Sequence, residues 1–494
     1  MHRPRATEAR FAEELAVLRP DLVARYAAEL PGARAAVLSR LWRGLTHEPL
    51  PWVAARETGR EGLTLRLSDG RRLHGPHPDP FATAARVAVV RLDEVAHDDP
   101  ARLMTALGVP HGTDFAAELA DSVASLALSR AGQPPRSPEW PAHDWEWEQR
   151  IVDGHPYHPN CRSRPGFSVA EQLAYAPEHR PLVPLGPVPV PVDECLVTGA
   201  WPAELRDGGR LLLPVHPWQA EHVLKRAVPE GTGAHPLMSL RTLALPGGPH
   251  VKTALSARLT SSVRDISVYS ISMSATLSEF AETLAERMDG LLHFTRTLGA
   301  ATANSPDLAA VLRESPQVYG DRVLPVAALA TTGLPESPVW LAEFARLALT
   351  AGLRLLELGV ALEAHGQNLL VVLSESGAPL RLVYRDLADI RVSPARLARH
   401  GIPVPALSGR VVTDDETALR RKLFGSLVAG ALAATAGSAA ALRGALESAV
   451  RELPRTPDLA ALLEQPLPTK ALTLMRLSPG IPGDQWTELP NPLR

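Results

Sequence analysis

The stretch KTALSARLTSSVRDIS, from Lys252 to Ser267, concentrates cations and hydroxyl groups in a segment with strand character. Its content predicts a strand, as does that of SLRTLAL on the other side of the turn PGGPH. In a strand, alternate residues from Lys252 to Thr260 would share one face, with two cations and two hydroxyls. Such a face suits phosphate better than it suits a core. An exposed strand face with ordinary charges is the alternative.

Lysine is rare in this chain, which makes its presence in that stretch informative. Most of the positive charge is arginine, and the four lysines lie at positions 225, 252, 422 and 470. A lysine supplies a compact point charge, whereas Arg264 nearby supplies a planar fork for carboxylate or phosphate. The segment SLRTL has the same combination of a hydroxyl and a cation, with Ser239 and Arg241 on one face of the predicted strand.

The composition is that of a globular protein with two or three domains and a sizeable core. The 494 residues carry a formal charge of -3, which provides no broad field for nucleic acid or an anionic membrane. The two cysteines, Cys161 and Cys195, cannot form a disulfide framework and lack metal-ligand spacing. There is no signal-peptide core and no run of about eighteen apolar residues. We therefore expect a cytoplasmic protein with a small-molecule ligand.

Helical and strand patterns are segregated along the chain more than they alternate. The first part is helical, with one hairpin predicted at Asp69-Gly70. The proline-rich segment Pro177–Asp193 is expected to be an extended segment or an edge strand. Two strands are predicted between Asn368 and Leu387, and the remainder of the C-terminal third is mostly helical. This segregation predicts an α+β fold rather than a doubly wound sheet.

The loop GHPYHPNCRSRPGFS sets His155 and His158 ahead of Arg162 and Arg164. Prolines would hold both imidazoles in a rigid loop. Three interpretations compete. The histidines could bind a metal, although no third ligand of convincing spacing follows. They could be loop residues without a function, or they could assist the arginines in binding an anionic substrate, with a histidine as proton donor or acceptor.

The segments EAHGQNLLVVL and LVYRDL bring oxygen ligands to the end of two predicted strands. Glu363, Asn368 and Asp386 suit magnesium bound to a nucleoside triphosphate. The order of His365, Asn368 and Asp386 also resembles a kinase catalytic loop. Neither a Walker motif nor a glycine-rich kinase loop is present. These residues alone leave the type of reaction open.

Six motifs in chain order resemble those of the NRPS-independent siderophore (NIS) synthetases, the IucA/IucC family. They cover roughly residues 150–390 and are GHPYHPNCRSRPGFS, LLPVHPWQ, SLRT, KTALSARLTSSVRDIS, EAHGQN and YRDL. The resemblance implies a cupped-hand α+β architecture of mixed helices and antiparallel sheets. Its domains would be a helical thumb at residues 1–147, ATP-binding fingers at 148–334 and a shortened palm at 335–494.

The resemblance also implies a reaction and two cofactors, ATP and Mg²⁺. ATP would adenylate a carboxylate such as citrate or a dicarboxylate and release pyrophosphate. An amine, hydroxylamine or alcohol would then displace AMP and form an amide or ester. The absence of a nucleophile elbow or a Cys/His pair agrees with a route that needs no covalent enzyme intermediate.

By motif position, the resemblance implies the role of each site residue. The residues expected to contact ATP are Ser239, Arg241, Lys252, Thr260, Ser261 and Arg264. The loop facing the triphosphate and the carboxylate would contribute His155, His158 and Arg162. The nucleotide and magnesium cluster would be Glu363, His365, Asn368 and Asp386, with Glu363, Asn368 and Asp386 as metal ligands. Those expected to act in catalysis are His155, Arg264 and His365.

Two departures from the family pattern bear on substrate choice. Many family members carry lysine where this loop has Arg162, so its contact would be bidentate here. The chain is also shorter than usual members after Asp386. The segment PTKALTLMRL still resembles the closing palm segment, which makes Lys470 and Arg476 candidates for binding the carboxylate together with Arg264 and His365.

Two other functions fit parts of the sequence. An ADP-forming small-molecule kinase would account for the His/Asn/Asp order, and would differ in the nucleotide that accumulates. A non-catalytic binding protein for a ferric or citrate-like ligand would bind without turnover. A homodimer is expected from the family only, since no residue pattern indicates a dimer face.

Overall fold

The N-terminal, middle and C-terminal parts of the chain each build a hydrophobic core. A computed structural model describes residues 6–84, 87–135, 139–260 and 262–494. Helices and mostly antiparallel sheets are segregated, so the fold is α+β, as the sequence predicts. The expected position of Ser261 lies outside the described residues.

In the N-terminal part, helices pack beside a five-stranded antiparallel meander. The hairpin predicted at Asp69-Gly70 is confirmed, since Leu65 pairs with Leu73 across it and Gly70 has a φ of 92°. The elements are α1 (Ala6–Leu18), α2 (Val23–His47), β1 (Val53–Thr58), β2 (Leu63–Leu67), β3 (Arg72–Gly75), β4 (Val90–Leu92), β5 (Val95–His97), α3 (Pro100–Leu107) and α4 (Gly112–Ala131).

The middle part is dominated by a nine-stranded sheet in the order β7-β16-β17-β12-β11-β10-β6-β9-β8. Strands β13 and β14 form a separate hairpin. The elements are α5 (Asp144–Gln149), α6 (Val169–Tyr175), β6 (Val183–Pro191), β7 (Leu196–Gly199), β8 (Arg206–Asp207), β9 (Arg210–Val215), α7 (Pro217–His222), β10 (Thr232–Pro236), β11 (Thr242–Ala244), β12 (His250–Thr253), β13 (Leu255–Leu259), β14 (Ser262–Arg264), α8 (Val268–Glu286), β15 (Leu292–Phe294), β16 (Thr297–Thr302), β17 (Ala309–Arg313) and β18 (Val323–Pro325).

The proline-rich strand β6 is extended, as expected, but it does not lie at an edge of the sheet. Its residues 183–185 pair with β10, and its residues 186–191 pair with β9. Each half is thus paired along one side only. A proline there loses fewer ladder hydrogen bonds than in a strand that is paired on both sides, which explains how an inner strand tolerates this sequence.

The C-terminal part packs helices against a four-stranded sheet in the order β15-β21-β20-β18. Because β15 and β18 precede residue 334, the chain enters this sheet before the C-terminal helices begin. A π-helix spans Phe424–Leu432. The other elements are α9 (Pro338–Leu358), β19 (Val360–Ala361), β20 (Leu369–Leu373), β21 (Pro379–Tyr384), β22 (Arg391–Val392), α10 (Pro394–Arg399), α11 (Glu416–Leu423), α12 (Ala433–Ala436), α13 (Ala439–Val450), α14 (Pro457–Glu464), β23 (Leu467–Lys470), α15 (Leu472–Leu477) and β24 (Trp486–Leu489).

Helix α9 shows how local sequence defines these elements. The Ser337 side chain accepts a hydrogen bond from the Trp340 N–H, and Pro338 occupies the first turn. Gly359 ends the helix with a φ of 112°, a conformation that favours glycine. No single described helix is long and apolar enough to cross a membrane, although the bent pair Glu416–Ala436 and Ala439–Val450 passes by length and composition.

The histidine loop, residues 154–168, is fixed to the N-terminal part by a buried carboxylate. Glu178 is fully buried and lies 2.7 Å from Arg164 Nη1 and 3.7 Å from Arg162 Nη1, and it accepts a hydrogen bond of 2.6 Å from the Ser129 hydroxyl. Burial alone would raise the pKa of Glu178, but the two guanidinium groups outweigh it and lower that pKa well below its usual range.

We expect Glu178→Gln to lower the free energy of unfolding by about 3 kcal/mol, because it leaves two buried guanidinium groups without a counter-charge. The measurement is urea unfolding at neutral pH. The matched control is Glu57→Gln, which removes an exposed carboxylate from its pairs with Arg66 and Arg72 and should cost under about 1 kcal/mol. Equal losses in the two variants would contradict this assignment.

Candidate active site

The ion pair between Lys252 and Asp386 lies at the centre of the candidate site. Lys252 Nζ donates to both carboxylate oxygens of Asp386, at 2.9 and 2.7 Å. Lys252 lies on β12 and Asp386 follows β21, so the pair joins the nine-stranded sheet to the four-stranded sheet. Asp386 has a φ of 73°, in the left-handed region that non-glycine residues rarely occupy. Strain of this kind is often found at functional sites.

Asp386 has a second cationic neighbour besides Lys252. Arg313 Nη2 on β17 lies 3.7 Å from Asp386 Oδ1. Burial would raise the pKa of Asp386, but Lys252 and Arg313 outweigh it and lower that pKa well below its usual range. Burial, only partly offset by Asp386, lowers the pKa of Lys252 to about 8. Arg313 was not among the residues predicted from the sequence, because only the pairing of β17 with β12 brings it to the site.

Arg241 and Arg264 are brought together, as expected. Arg241 Nη1 donates to the main-chain carbonyls of Arg264 and Asp265, both at 2.6 Å. Burial is the largest influence on both guanidinium groups, lowering the pKa of Arg241 to about 10 and also lowering that of Arg264. Asp386 opposes the shift in each. Ser239 holds the turn before β11, where its hydroxyl accepts from the Thr242 N–H at 3.2 Å.

The stretch from Lys252 to Thr260 does not form the single strand that was expected. Strand β12 ends at Thr253, and β13 starts a separate hairpin at Leu255. Lys252 and Arg258 therefore belong to different sheets. At the turn of that hairpin, Thr260 has a φ of 58°, and its N–H donates to the Ser163 carbonyl of the histidine loop at 3.2 Å.

A second cluster of charge surrounds Glu363. Glu363 Oε1 lies 2.8 Å from Lys470 Nζ and 3.1 Å from Lys422 Nζ, and Lys422 also lies 2.7 Å from Asp389. The amide of Asn368 donates to the Glu363 carbonyl at 3.4 Å. Lys422 was not among the residues predicted from the sequence, although the scarcity of lysine was a signal. Three of the four lysines of this chain pair with site carboxylates.

The three histidines of the expected site share one hydrogen-bonding pattern. In His155, His158 and His365, Nδ1 accepts a hydrogen bond from a main-chain N–H two residues later, at 3.2, 2.9 and 3.3 Å. Burial lowers the pKa of all three, that of His158 to about 3. Each ring is therefore neutral near pH 7 and carries its proton on Nε2, as the hydrogen bonding implies.

The same electrostatic contacts show which parts of the chain converge. His365 lowers the pKa of His155, and His365 is in turn influenced by Glu363, Lys470, Lys422 and Asp386. The histidine loop and the C-terminal cluster thus lie side by side. We call the region between these parts of the chain the cleft. The residues around it are His155, His158, Arg241, Lys252, Arg264, Arg313, Glu363, His365, Asn368, Asp386, Lys422 and Lys470.

Arg162 and Arg476 have protein partners that differ from the expected ligands. Arg162 is buried; its Nε donates to the Val152 carbonyl at 2.6 Å, and its guanidinium also bonds the Ile151 carbonyl. These bonds suit a role in holding the loop. Arg476 donates to Glu118 on α4, with Nε 2.8 Å from Oε2. It still lies close enough to His158 to lower the pKa of that ring.

The oxygen ligands fit a magnesium ion that arrives with a nucleotide. Among residues 6–84, 87–135, 139–260 and 262–494, no group of three or more His, Cys, Asp and Glu side chains could hold a metal ion. Mg²⁺ commonly uses one or two protein carboxylates together with phosphate oxygens and water. Glu363, Asn368 and Asp386 could supply that smaller share. Within the described residues, the ion-pair partners of the two carboxylates are lysines and an arginine.

Comparison with known proteins identifies two family regions. Residues 143–331 match the IucA/IucC family, and residues 338–483 match the family described as ferric iron reductase FhuF-like transporter. The second match was not expected from the sequence motifs.

A curated relative is the citryl-spermidine/3,4-dihydroxybenzoyl-citryl-spermidine:spermidine ligase of Bacillus anthracis. It is 25% identical over 312 residues, which cover 49% of this chain and 51% of the ligase. The chain thus spans about half the length of the curated relatives it matches first.

Solved structures share the fold over a greater length. The petrobactin biosynthesis protein AsbB of Bacillus anthracis has a TM-score of 0.76 at 18% identity, with 100% of this chain and 98% of that one covered. ATP-bound aerobactin synthetase IucA of Klebsiella pneumoniae has a TM-score of 0.70 at 21% identity, with 93% and 99% covered. Residues 143–331 of this chain thus match the IucA/IucC family, and the chain shares the fold of these two solved structures.

Proposed function

We propose that this chain is an ATP-dependent, AMP-forming ligase of siderophore biosynthesis. It adenylates a citrate-like or dicarboxylate-like acid and condenses it with an amine, hydroxylamine or alcohol. The observation that carries the proposal is the cleft around Asp386, where Lys252, Arg241, Arg264 and Arg313 supply more positive charge than the carboxylate neutralises. That excess suits a polyanion such as a triphosphate beside a carboxylate.

In the first step, a carboxylate oxygen attacks the α-phosphorus of ATP. An O–P bond forms, the bond from that phosphorus to pyrophosphate breaks, and an acyl adenylate results. Two anions must approach each other, so cations and N–H donors are needed around them. We assign the phosphate contacts to Ser239, Arg241, Lys252, Thr260 and Ser261 and the reacting carboxylate to Arg264, with Lys470 and Arg476 holding the remainder of the acid.

In the second step, the nucleophile attacks the acyl carbon. A C–N or C–O bond forms, the bond from that carbon to the AMP oxygen breaks, and the nucleophile releases one proton to solvent. His155 and His365 suit the stabilisation of the negative charge that develops on the phosphate in the first step and on the acyl oxygen in the second, because neutral rings that are protonated on Nε2 donate a hydrogen bond without carrying a charge. His158 presents the same kind of donor to the triphosphate.

Magnesium would be held by Glu363, Asn368 and Asp386 and would neutralise phosphate charge. The lysines that now pair with the two carboxylates would then be free to contact phosphate or substrate oxygens. Each acidic group in the cluster already has a cationic partner, so a bound metal–nucleotide complex would exchange partners rather than introduce an unbalanced charge.

The first test is the identity of the nucleotide product. With ATP, Mg²⁺, a panel of di- and tricarboxylic acids and hydroxylamine, we expect AMP, pyrophosphate and a hydroxamate. Accumulation of ADP and phosphate would instead support the kinase. Tight binding of citrate or its ferric complex, without turnover of any acid, would support the non-catalytic binding protein, in keeping with the FhuF-like match over residues 338–483.

Arg264→Ala and His365→Ala are each expected to reduce acid-dependent exchange of pyrophosphate into ATP by at least about 100-fold, as for loss of a donor to a developing anion. His77→Ala, which alters an exposed histidine of the N-terminal part, is the matched control and should retain the exchange rate. Circular dichroism checks the fold of each variant. Full exchange in either site variant would remove the role assigned to that residue.

Affinity for ATP is expected to fall as the pH rises through about 8, because Lys252 loses its proton there. A lysine whose pKa is lowered loses its charge at a lower pH than a free lysine does. The loss of affinity is therefore expected well below the pH range in which lysines usually lose their proton. The measurement is titration with a non-hydrolysable ATP analogue between about pH 7 and pH 9.5. Lys252→Arg keeps its charge over this range and should flatten the dependence; equal slopes would contradict the role of Lys252.

A further inference from the structure

Helix α5 carries two buried carboxylates that none of the roles proposed above uses. Asp144 and Glu148 are four residues apart, so they lie on the same face of this helix. Their side chains are only 4% and 1% exposed. Carboxylates are rarely buried to this extent unless they are paired with cations or bonded to other groups of the protein, so their partners indicate their role.

Glu148 bonds to two segments that lead directly into site residues. Its Oε1 accepts a hydrogen bond of 2.6 Å from Arg385 Nη1, and its Oε2 accepts one of 3.1 Å from the Met238 N–H. Arg385 directly precedes Asp386, and Met238 directly precedes Ser239. Glu148 therefore holds the chain beside one proposed metal ligand and beside one proposed phosphate contact.

The Arg385 guanidinium group is directed to partners other than its neighbour Asp386. Besides the bond to Glu148, its Nε and Nη2 donate to the Gln367 carbonyl at 3.0 and 2.9 Å. Burial would lower the pKa of Arg385, but Glu148 chiefly, and Asp386 to a smaller degree, outweigh it and raise that pKa. Arg385 and Asp386 are thus close enough to interact, although the hydrogen bonds of Arg385 go elsewhere.

Glu148 therefore determines whether the Arg385 guanidinium group is available to Asp386. A guanidinium group can bind both oxygens of a carboxylate at once, whereas a lysine is a point charge. Without Glu148, the buried Arg385 would need another counter-charge, and the Asp386 carboxylate is within electrostatic reach. That pairing would occupy the oxygens that a metal ion needs.

Asp144 bonds to two other segments of the site. Its Oδ2 lies 2.8 Å from His250 Nε2 and accepts a hydrogen bond of 3.0 Å from the Ser315 hydroxyl. His250 and Lys252 are two residues apart on β12, so their side chains share one face of the sheet. His250 also pairs in register with Arg313 on β17. Asp144 thus holds both segments that bring cations to the cleft.

We propose that the two carboxylates of α5 are positioning residues of the nucleotide site. Glu148 keeps Arg385 from pairing with Asp386, which leaves the Asp386 carboxylate available to the magnesium ion of the nucleotide. Asp144 keeps β12 and β17 in the alignment that brings their cations to the phosphates. The inference rests on the proposed function and adds residues that act through the groups in contact with nucleotide and metal.

The test is the affinity for a non-hydrolysable ATP analogue, measured by isothermal titration calorimetry with Mg²⁺ and again with EDTA. Binding to the wild-type chain should be tighter with Mg²⁺. In Glu148→Gln the released Arg385 pairs with Asp386, so we expect this gain in affinity to fall by about tenfold, the order expected for loss of one contact to a charged group. A role in stability alone would lower the number of binding sites and leave the gain unchanged.

A second substitution should rescue the first. Glu148→Gln/Arg385→Gln has no released guanidinium group that could compete for Asp386, so the gain from Mg²⁺ should return towards that of the wild type. If Glu148→Gln does not fold, Glu148→Asp provides the same test, because it keeps the charge but withdraws it from Arg385 by one methylene group. It should also lower the gain.

Asp144→Asn separates the two roles. It changes the net charge by the same amount as Glu148→Gln, but we expect it to weaken binding by about tenfold both with Mg²⁺ and with EDTA, so that the gain stays the same.

Glu146→Gln, on the same helix, is the matched control and should leave both affinities unchanged. Its carboxylate accepts hydrogen bonds from the Ala142 and His143 N–H groups at the start of α5, a capping role that glutamine can also fill.

An undiminished gain in the folded Glu148 variants, or a gain that Glu148→Gln/Arg385→Gln fails to restore, would overturn the role of Glu148. Wild-type affinity in Asp144→Asn would overturn that of Asp144. Failure of the wild-type chain to bind the analogue is a separate result, because it would contradict the proposed nucleotide site itself rather than the positioning of its residues.

Discussion

The Lys252–Asp386 pair joins two sheets that have separate hydrophobic cores. Transfer of both charges out of water is costly, and such a pair repays the cost only when its geometry and its further hydrogen bonds are good. Here both carboxylate oxygens of Asp386 accept hydrogen bonds from Lys252, and Arg313 lies 3.7 Å from one of them. The pair thus fixes where the strand ends of the middle and C-terminal parts meet.

The arrangement leaves a surplus of positive charge in a poorly solvated region. Asp386 opposes the effect of burial on Lys252, Arg241 and Arg264, yet their pKa values still fall. A bound polyanion would relieve this, since it adds the counter-charge that the protein lacks. The neutral histidines complete the site with donors that add no further positive charge. The proposed affinity for anions would therefore come from the same cluster of positive charges that burial makes costly.

Separate residues hold the cleft in place. Arg162 and Arg164 fix the histidine loop through their ion pairs with Glu178, a carboxylate that is not part of the cleft. A hydrogen bond from the Thr260 N–H to the Ser163 carbonyl also holds the loop. The loop can therefore present His155 and His158 without depending on bound ligand. Arg162 shows that a motif position does not fix the partner of a side chain. Its position in the motif implies contact with the ligand, but its guanidinium group is bonded to main-chain carbonyls of the protein.

The sequence by itself determined the α+β class, the hairpin at Asp69-Gly70 and the resemblance to the IucA/IucC family, because these depend on local periodicity, turn residues and ordered motifs. It also identified most of the side chains that meet in the cleft. It could not determine that β12 ends at Thr253, that β6 lies inside a sheet, or that Arg313 and Lys422 reach the site. Those outcomes depend on strand register and on contacts between residues far apart in the chain, which no local pattern encodes. Only the tertiary structure decided which cations face the cleft and which, like Arg162, are bonded within the protein, because the partner of a charged side chain is set by packing.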